Sequence, residues 1–592
     1  MKRQFYSLIA GLLLLCVAFG LLIWRLFFLQ YVQFESFEQA SQRQQSAIVP
    51  ERAQRGFIVD CRGRLLAASN ISYTIFAEPR RFENSEAITA AASQLQDILH
   101  LPSQVIFDTI CDAPNSGYAP ILSDADPMMR DVVARSRITG IGVESRWKRY
   151  YPGSSLTGHI VGFIGTEEKG LAGIELQYNS LLHGSAGKSV FVVDAMRRPI
   201  SASLPDQIES VDGQSLILTL DATIQGFVRE ALRRTMTEYE TESAVGIVMN
   251  PWTGAILAMV SLPDFNPDEF SRTDSERMKN RILGDVYEPG SIFKPVVAAA
   301  ALDAGTIGFN DRFDCEDGYF ARYRIGEFGN HRYGLLSVRD ILVHSSNVGM
   351  AKIGLKMGQK KLYDGVRLFG FGEPTGIDLP GEESGIFHPI KNWSGWSVTR
   401  IPFGHEVSVT SLQVARAYCV LANGGSVVRP HIVRAVVDRS GKITEYKQPS
   451  TGAGYVLKSE VAHWIVEKAL TGVVEEGTGD LAALKNCRVW GKTGTANISM
   501  PGGGYDTSNY VASFVGGAPA EKPAVVVLVS FRKPNRALGK GYSGGRVAAP
   551  AAREILENTL PYLGVIEHPT PEPLPIKPVK PVKPVKTASP RR

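Results

Sequence analysis

Cysteine is scarce in this chain and never paired in sequence. Cys16, Cys61, Cys111, Cys315, Cys419 and Cys487 are spread over 592 residues without a C-x-x-C anywhere. That spacing supports neither a zinc site nor a thioredoxin-like motif. Cys16 falls in the apolar N-terminal run and leaves an odd number beyond it, so at least one thiol there has no partner within the chain. The reading is of isolated buried thiols, with no disulfide framework. An excess of charge of one sign is also nearly lacking. A net charge of +5, part of it from C-terminal lysines, is too small to argue for nucleic acid as a partner. Long apolar runs are missing after the first thirty or so residues, which excludes a multi-span transporter.

The N-terminus holds the one such run. Phe5 to Trp24 is almost wholly apolar and about long enough to cross a bilayer. Lys2 and Arg3 precede it, which keeps the short N-terminus in the cytoplasm and exports everything after Arg25. A cleaved signal peptide competes with this reading, but Leu26-Phe27-Phe28-Leu29 extends the run and no A-x-A site follows. The expectation is a cytoplasmic tail over residues 1–4 and an uncleaved anchor over 5–29.

The remainder is too long for one ordinary domain. Gln30 to about Gln54 is polar and suits a stalk. From Arg55 to about Asp206, short strand-like runs such as Tyr73-Thr74-Ile75-Phe76 mix with a helical pattern around Ala87 to Leu99, and periodicity gives no fold. From Gln214 the signals sharpen. Ser215 to Leu220 reads as a strand, and Asp221 caps a helix running through Ala231-Leu232. Val245 to Met249 and Ala255 to Val260 form a hairpin across Pro251-Trp252-Thr253-Gly254. Late strands are expected at Val489 to Thr495, Tyr510 to Gly516 and Ala524 to Phe531, then a helix from Val547 to Leu560. Strands at both ends with helices between them, one including Pro295 to Ala304, indicate an α+β architecture with an antiparallel sheet flanked by helices. The tail repeats Lys-Pro-Val from Lys577 to Val585, an extended composition that cannot pack a core.

Three short motifs carry chemistry. In Ser291-Ile292-Phe293-Lys294, spacing i, i+3 puts the lysine on the face of the serine. A lysine with a pKa lowered by burial can serve as base for a serine hydroxyl. In Ser345-Ser346-Asn347 a second hydroxyl could relay a proton and an amide could hold a carbonyl; alone, a local turn explains it better. In Lys492-Thr493-Gly494-Thr495, on an expected strand, a cation and two hydroxyls suit a carboxylate, and a glycine permits close approach of a substrate backbone. An exposed strand lysine is the plainer reading of Lys492.

Together, in the order S-x-x-K, S-x-N, K-T-G, the motifs resemble those of penicillin-binding proteins and serine β-lactamases. Tyr287-Glu288-Pro289-Gly290, Gly370-Phe371-Gly372 with Thr375-Gly376, and Gly544 to Pro550 extend the likeness to the transpeptidase domain. Arg55 to Asp60 with Leu65-Leu66-Ala67, Arg149-Tyr150-Tyr151-Pro152-Gly153 and Gly170 to Glu175 resemble the pedestal of class B members, and the stretch before Arg55 has no room for the glycosyltransferase domain of class A. Cys61-Arg62-Gly63 departs from the usual Arg-Asn-Gly, and Asp268 from the usual Asn. Glu476-Gly477-Thr478-Gly479 and Pro402 to Val407, followed by Thr410 to Gln413, look like the division-specific subgroup.

The resemblance implies a pedestal, or dimerisation domain, over 30–210, a transpeptidase domain over 211–562 and a disordered tail over 563–592. It implies a D-Ala-D-Ala transpeptidase/carboxypeptidase without cofactor or metal. Ser291 is the nucleophile, Lys294 the base, Ser345 the proton relay and Asn347 the orienting group. Lys492, counted with the catalytic residues, holds the terminal carboxylate with Thr493 and Thr495, Gly494 joins these threonines in binding substrate, and backbone N–H groups of Ser291 and Thr495 form the oxyanion hole. Implied partners are stem peptides, β-lactams, a glycosyltransferase of the SEDS class, other division proteins and the membrane. The implied place is the septal cytoplasmic membrane, single-pass, with the bulk of the chain outside. An elongation-specific enzyme and a β-lactam-sensing receptor are the alternatives; receptors of that type need several membrane segments. The pedestal and anchor disfavour a β-lactamase.

Two other patterns are refused. Gly541-Tyr542-Ser543-Gly544-Gly545 matches G-x-S-x-G, but only His568 follows, in the tail. Gly491-Lys492-Thr493 resembles the end of a P-loop, but Asn486 stands where its first glycine belongs. His344 and His405 lack metal-ligand spacing and are given structural roles.

Overall fold

The apolar N-terminal run folds as one helix, Lys2–Phe27, continued by a π turn over Phe28–Val32. Its span Arg3–Val32 has a mean hydropathy of 2.6 and is not buried against the rest of the protein. At 1.5 Å per residue it is about 45 Å long, more than a hydrocarbon core requires. It is the one helix among the described residues long and apolar enough to cross a membrane. The computed structural model describes residues 2–38, 46–114, 116–193, 199–201, 208–446, 451–500 and 504–567, so the Lys-Pro-Val tail and His568 lie outside the described residues.

The region left without a fold by periodicity is built on a 13-residue strand, Leu65–Ala77. Ala68 to Ala77 pair with Ile141–Tyr150, and the far half also pairs with Ala119–Ala125. Helices Ser85–Leu99, capped by the Asn84 side chain, Ser103–Cys111 and Pro127–Ser136, capped by Asp126, complete this lobe. Leu95, Leu99, Ile106 and Ile110 meet Ile75 and Ala77 in a core of its own. Nearby, the three pedestal motifs converge on one buried ion cluster. Glu175 accepts from Arg55 Nε at 2.6 Å and from Arg149 Nε at 2.7 Å. Arg149 also donates to the Gly56 carbonyl at 2.8 Å, and Arg55 to Asn179 Oδ1 at 2.9 Å.

The second half is organised by a five-stranded antiparallel sheet. In chain order its strands are β1 (Ser243–Met249), β2 (Ile256–Leu262), β3 (Trp490–Ser499), β4 (Tyr505–Ala518) and β5 (Val525–Arg532); across the sheet the order is β2-β1-β5-β4-β3. Burial on both faces explains the continuous apolar runs. On β1, Ala244 and Val248 face one core while Val245, Ile247 and Met249 face the other; on β5, Val527 and Val529 oppose Val526 and Leu528. Helices α1 (Ala222–Tyr239), capped by Asp221 as expected, and α5 (Gly544–Tyr562) cover the first face. Helices α2 (Lys294–Asp303), α3 (Asn347–Leu368) and α4 (Ser411–Ala422) fill the second. Every residue of α2 from Lys294 to Leu302 is buried.

The halves share a second sheet. Ser215–Leu218 runs parallel to Ile58–Val59 and antiparallel to Val433–Val437. Ile58, Leu66, Ile160 and Ile174 accordingly belong to the same core as Ile292 and Phe293 beside the S-x-x-K motif.

Candidate active site

Gly290 turns the chain into Ser291 with φ of 56°, a left-handed conformation that suits glycine. Its N–H donates to the Gly404 carbonyl at 3.1 Å, and the Tyr418 hydroxyl donates to the Ile292 carbonyl at 2.8 Å. Gly290–Phe293 is a 3-10 turn feeding directly into α2. Ser291 thus sits half-buried at the mouth of a cleft of about 580 Å³, and Lys294 goes beneath it into the interior.

Lys294 is fully buried. Its Nζ donates to the Ser345 carbonyl at 2.5 Å, to Ser345 Oγ at 3.2 Å and to Asn347 Oδ1 at 2.7 Å. Loss of hydration favours the neutral amine and brings the pKa down to about 7, against an upward pull from Glu327. The first two motifs, fifty residues apart in sequence, are therefore one hydrogen-bonded unit. Ser345 has φ of 62°. A non-glycine residue held there costs about 1–3 kcal/mol and persists only where its neighbours over-determine it. Here the lysine holds its carbonyl, and Ser346 caps α3 by accepting from Gly349 N–H at 2.9 Å.

The third motif lies on β3, an edge of the five-stranded sheet. Thr493 and Thr495 line the cleft with Ser291, Ser345 and Asn347. Lys492 is wholly buried, so it is not an exposed strand lysine; it lies behind the cleft wall, with Nζ donating to the Thr493 carbonyl at 3.3 Å. Burial, then repulsion from Lys294, push its pKa well below the ordinary lysine value. Gly494 needs its lack of a side chain within the fold itself. A Cβ there would stand 2.9 Å from Ile292 Cγ2, so the glycine admits the serine turn against β3.

A family model of the penicillin-binding protein transpeptidase domain matches residues 244–557, and one of the penicillin-binding protein dimerisation domain matches 50–218. The chain belongs to the penicillin-binding protein transpeptidase family. With the dimerisation domain ahead of it, it is a class B penicillin-binding protein, a peptidoglycan D,D-transpeptidase like FtsI and stage V sporulation protein D. Stage V sporulation protein D of Bacillus subtilis is 32% identical over 95% of this chain and 86% of its own. Peptidoglycan D,D-transpeptidase FtsI of Escherichia coli is 30% identical over 94% and 91%. Penicillin-binding protein 3 of Mycobacterium tuberculosis, solved with aztreonam, superposes with a TM-score of 0.67 at 25% identity over 88% of this chain and 98% of that one.

Within this penicillin-binding protein, sequence reasoning missed two groups at the site. Thr478 shares a 2.6 Å hydrogen bond with Thr493 between hydroxyl oxygens, so Glu476-Gly477-Thr478-Gly479 is part of the site as well as a subgroup mark. Glu327 accepts from Asn347 N–H at 2.6 Å and belongs to no motif. The refused G-x-S-x-G is the start of α5: Ser543 lines the cleft, and Gly544 N–H donates to Thr495 Oγ1 at 3.1 Å. The refused P-loop lies inside a strand. His344 and His405 both line the cleft; His344 stacks on Tyr333, and burial pushes His405 down to about 4.

Proposed function

We propose that this chain cross-links stem peptides through an acyl-enzyme on Ser291, and that penicillin is trapped covalently at the same oxygen. The observation that carries this reading is a fully buried Lys294, poised near neutrality, bonded to Ser345 and Asn347 beneath the cleft that Ser291 enters. Neutral Lys294 takes the Ser291 proton as Oγ bonds to the carbonyl carbon between the two terminal D-alanines. Backbone N–H groups of Ser291 and Thr495 stabilise the oxyanion. The C–N bond then breaks, and the departing amine receives the proton from Lys294 through Ser345. An amine of a neighbouring stem attacks the ester carbon and gives its proton to Lys294, which passes it to Ser291 Oγ as the ester C–O bond breaks; water in place of the amine gives carboxypeptidase activity. Thr493 and Thr495 hold the terminal carboxylate, with the positive N-terminal end of α5 beside them.

The N-terminal helix supports a single-pass anchor in the cytoplasmic membrane with the bulk of the chain outside. The likeness to the E. coli and B. subtilis proteins supports a septal role in division, beside a glycosyltransferase of the SEDS class. Intact-mass measurement on the detergent-solubilised chain with benzylpenicillin should give one covalent adduct. A Ser291→Ala variant that still acquired it would overturn the assignment.

A further inference from the structure

Glu327 follows a short hairpin, Tyr319–Phe320 with Ile325–Gly326, and lies outside all three motifs. It is nevertheless 7% exposed and borders the cleft. Its donors are neutral and all belong to the turn that starts α3: the Ser346 hydroxyl, Asn347 N–H at 2.6 Å and Val348 N–H at 3.3 Å. The preceding carbonyl, Gly326, accepts from Asn347 Nδ2 at 3.0 Å. Asn347 is thereby fixed at backbone and side chain, and its remaining amide oxygen meets Lys294.

Capping alone does not account for this carboxylate, because Ser346 already caps α3 through Gly349. Burying a charge is costly, and a carboxylate in place of a neutral acceptor makes sense where its field is used. We infer that Glu327 is a positioning residue for acylation: it holds the Ser345-Ser346-Asn347 turn around Lys294 and presents to that lysine a negative charge that keeps its amine a competent base. The inference rests on the acyl-enzyme reading of Ser291. Lys294 also faces the buried Lys492 and His405, while Glu327 faces Tyr333 and Cys315, whose pKa values burial raises. Tyr333 and Cys315 are thus neutral near pH 7 and do not duplicate the charge. The field acts in the direction that raises the lysine's proton affinity, opposing burial.

The test is the pH profile of benzylpenicillin acylation on the full chain in detergent. For wild type the rate rises with pH as Lys294 loses its proton. In Glu327→Gln the field is gone, so the midpoint of that rise should move to lower pH, and the plateau should fall about tenfold to a hundredfold through misplacement of the turn. Glu327→Asp, which keeps the charge one methylene further back, should shift the midpoint the same way by less, and it carries the test if the Gln variant does not fold. A role confined to capping would lower the melting temperature and leave the midpoint in place. A folded variant with an unmoved midpoint, or one moved to higher pH, overturns the inference. A wild type that takes up no penicillin overturns the acyl-enzyme reading and this inference with it, which separates the two failures.

Discussion

Lys294 has a lowered proton affinity because α2 gives it nowhere to meet water. The helix is buried from Lys294 to Leu302, and the ammonium is served by two carbonyl oxygens and one hydroxyl. Replacing Lys294 by Met keeps most of the packing volume and removes the proton acceptor. Acylation should slow about 10²–10⁴-fold while the melting curve stays close to wild type; near wild-type kinetics would show another base. The sign of the pH effect follows from the same burial. The competent form is the neutral amine, so the acylation rate should climb as pH rises through about 7 and level off above it. Stopped-flow acylation across that range checks it, and a rate that fell with rising pH would contradict the role.

Among the elements, β3 and the serine turn depend on each other through one missing side chain. Gly494→Ala places a methyl group 2.9 Å from Ile292 Cγ2. Overpacking of that kind costs about 1–3 kcal/mol, and the displaced Ser291 should acylate about tenfold or more slowly. Melting and acylation measured together test it, since a slow variant of unchanged stability would mean that the turn had not been pushed. This contact also shows where sequence reading stopped. The strands β1 and β5 were legible because both faces are buried and apolar residues run without a break. The S-x-x-K spacing was legible because a helix makes it local. The partners of Gly494, Thr478 and Glu327 were not, because contacts between segments separated by loops leave no periodic trace. The pedestal escaped for a related reason. Its central strand alternates irregularly, being covered by two different strands and by helices along only part of its length.

At the scale of the whole molecule, the pedestal motifs act through charge. Glu175→Ala would leave the buried Arg55 and Arg149 facing each other without a counter-charge, and loss of one partner from a buried ion cluster costs about 3–5 kcal/mol. A correspondingly large drop in melting temperature is expected, and a shift within about 1 kcal/mol would mean that the cluster is not holding the three segments together. In cells, a fluorescent fusion should gather at midcell during constriction; uniform placement along the lateral wall would favour the elongation role instead.

The strand Ser215–Leu218 has a practical bearing on any attempt to express the catalytic half alone. It lies upstream of the matched transpeptidase region, yet it is one of the two strands that flank Val433–Val437, the other being Ile443–Tyr446. A fragment trimmed to begin at residue 244 would bare the backbone of that neighbour, with Val433, Ala435 and Val436 newly exposed. An uncapped apolar edge of this sort recruits other chains. Truncations for crystallisation or inhibitor screening should therefore begin before Ser215 and retain Ile58–Val59 as its second flank, or they will yield material that precipitates with Ser291 and its surroundings intact.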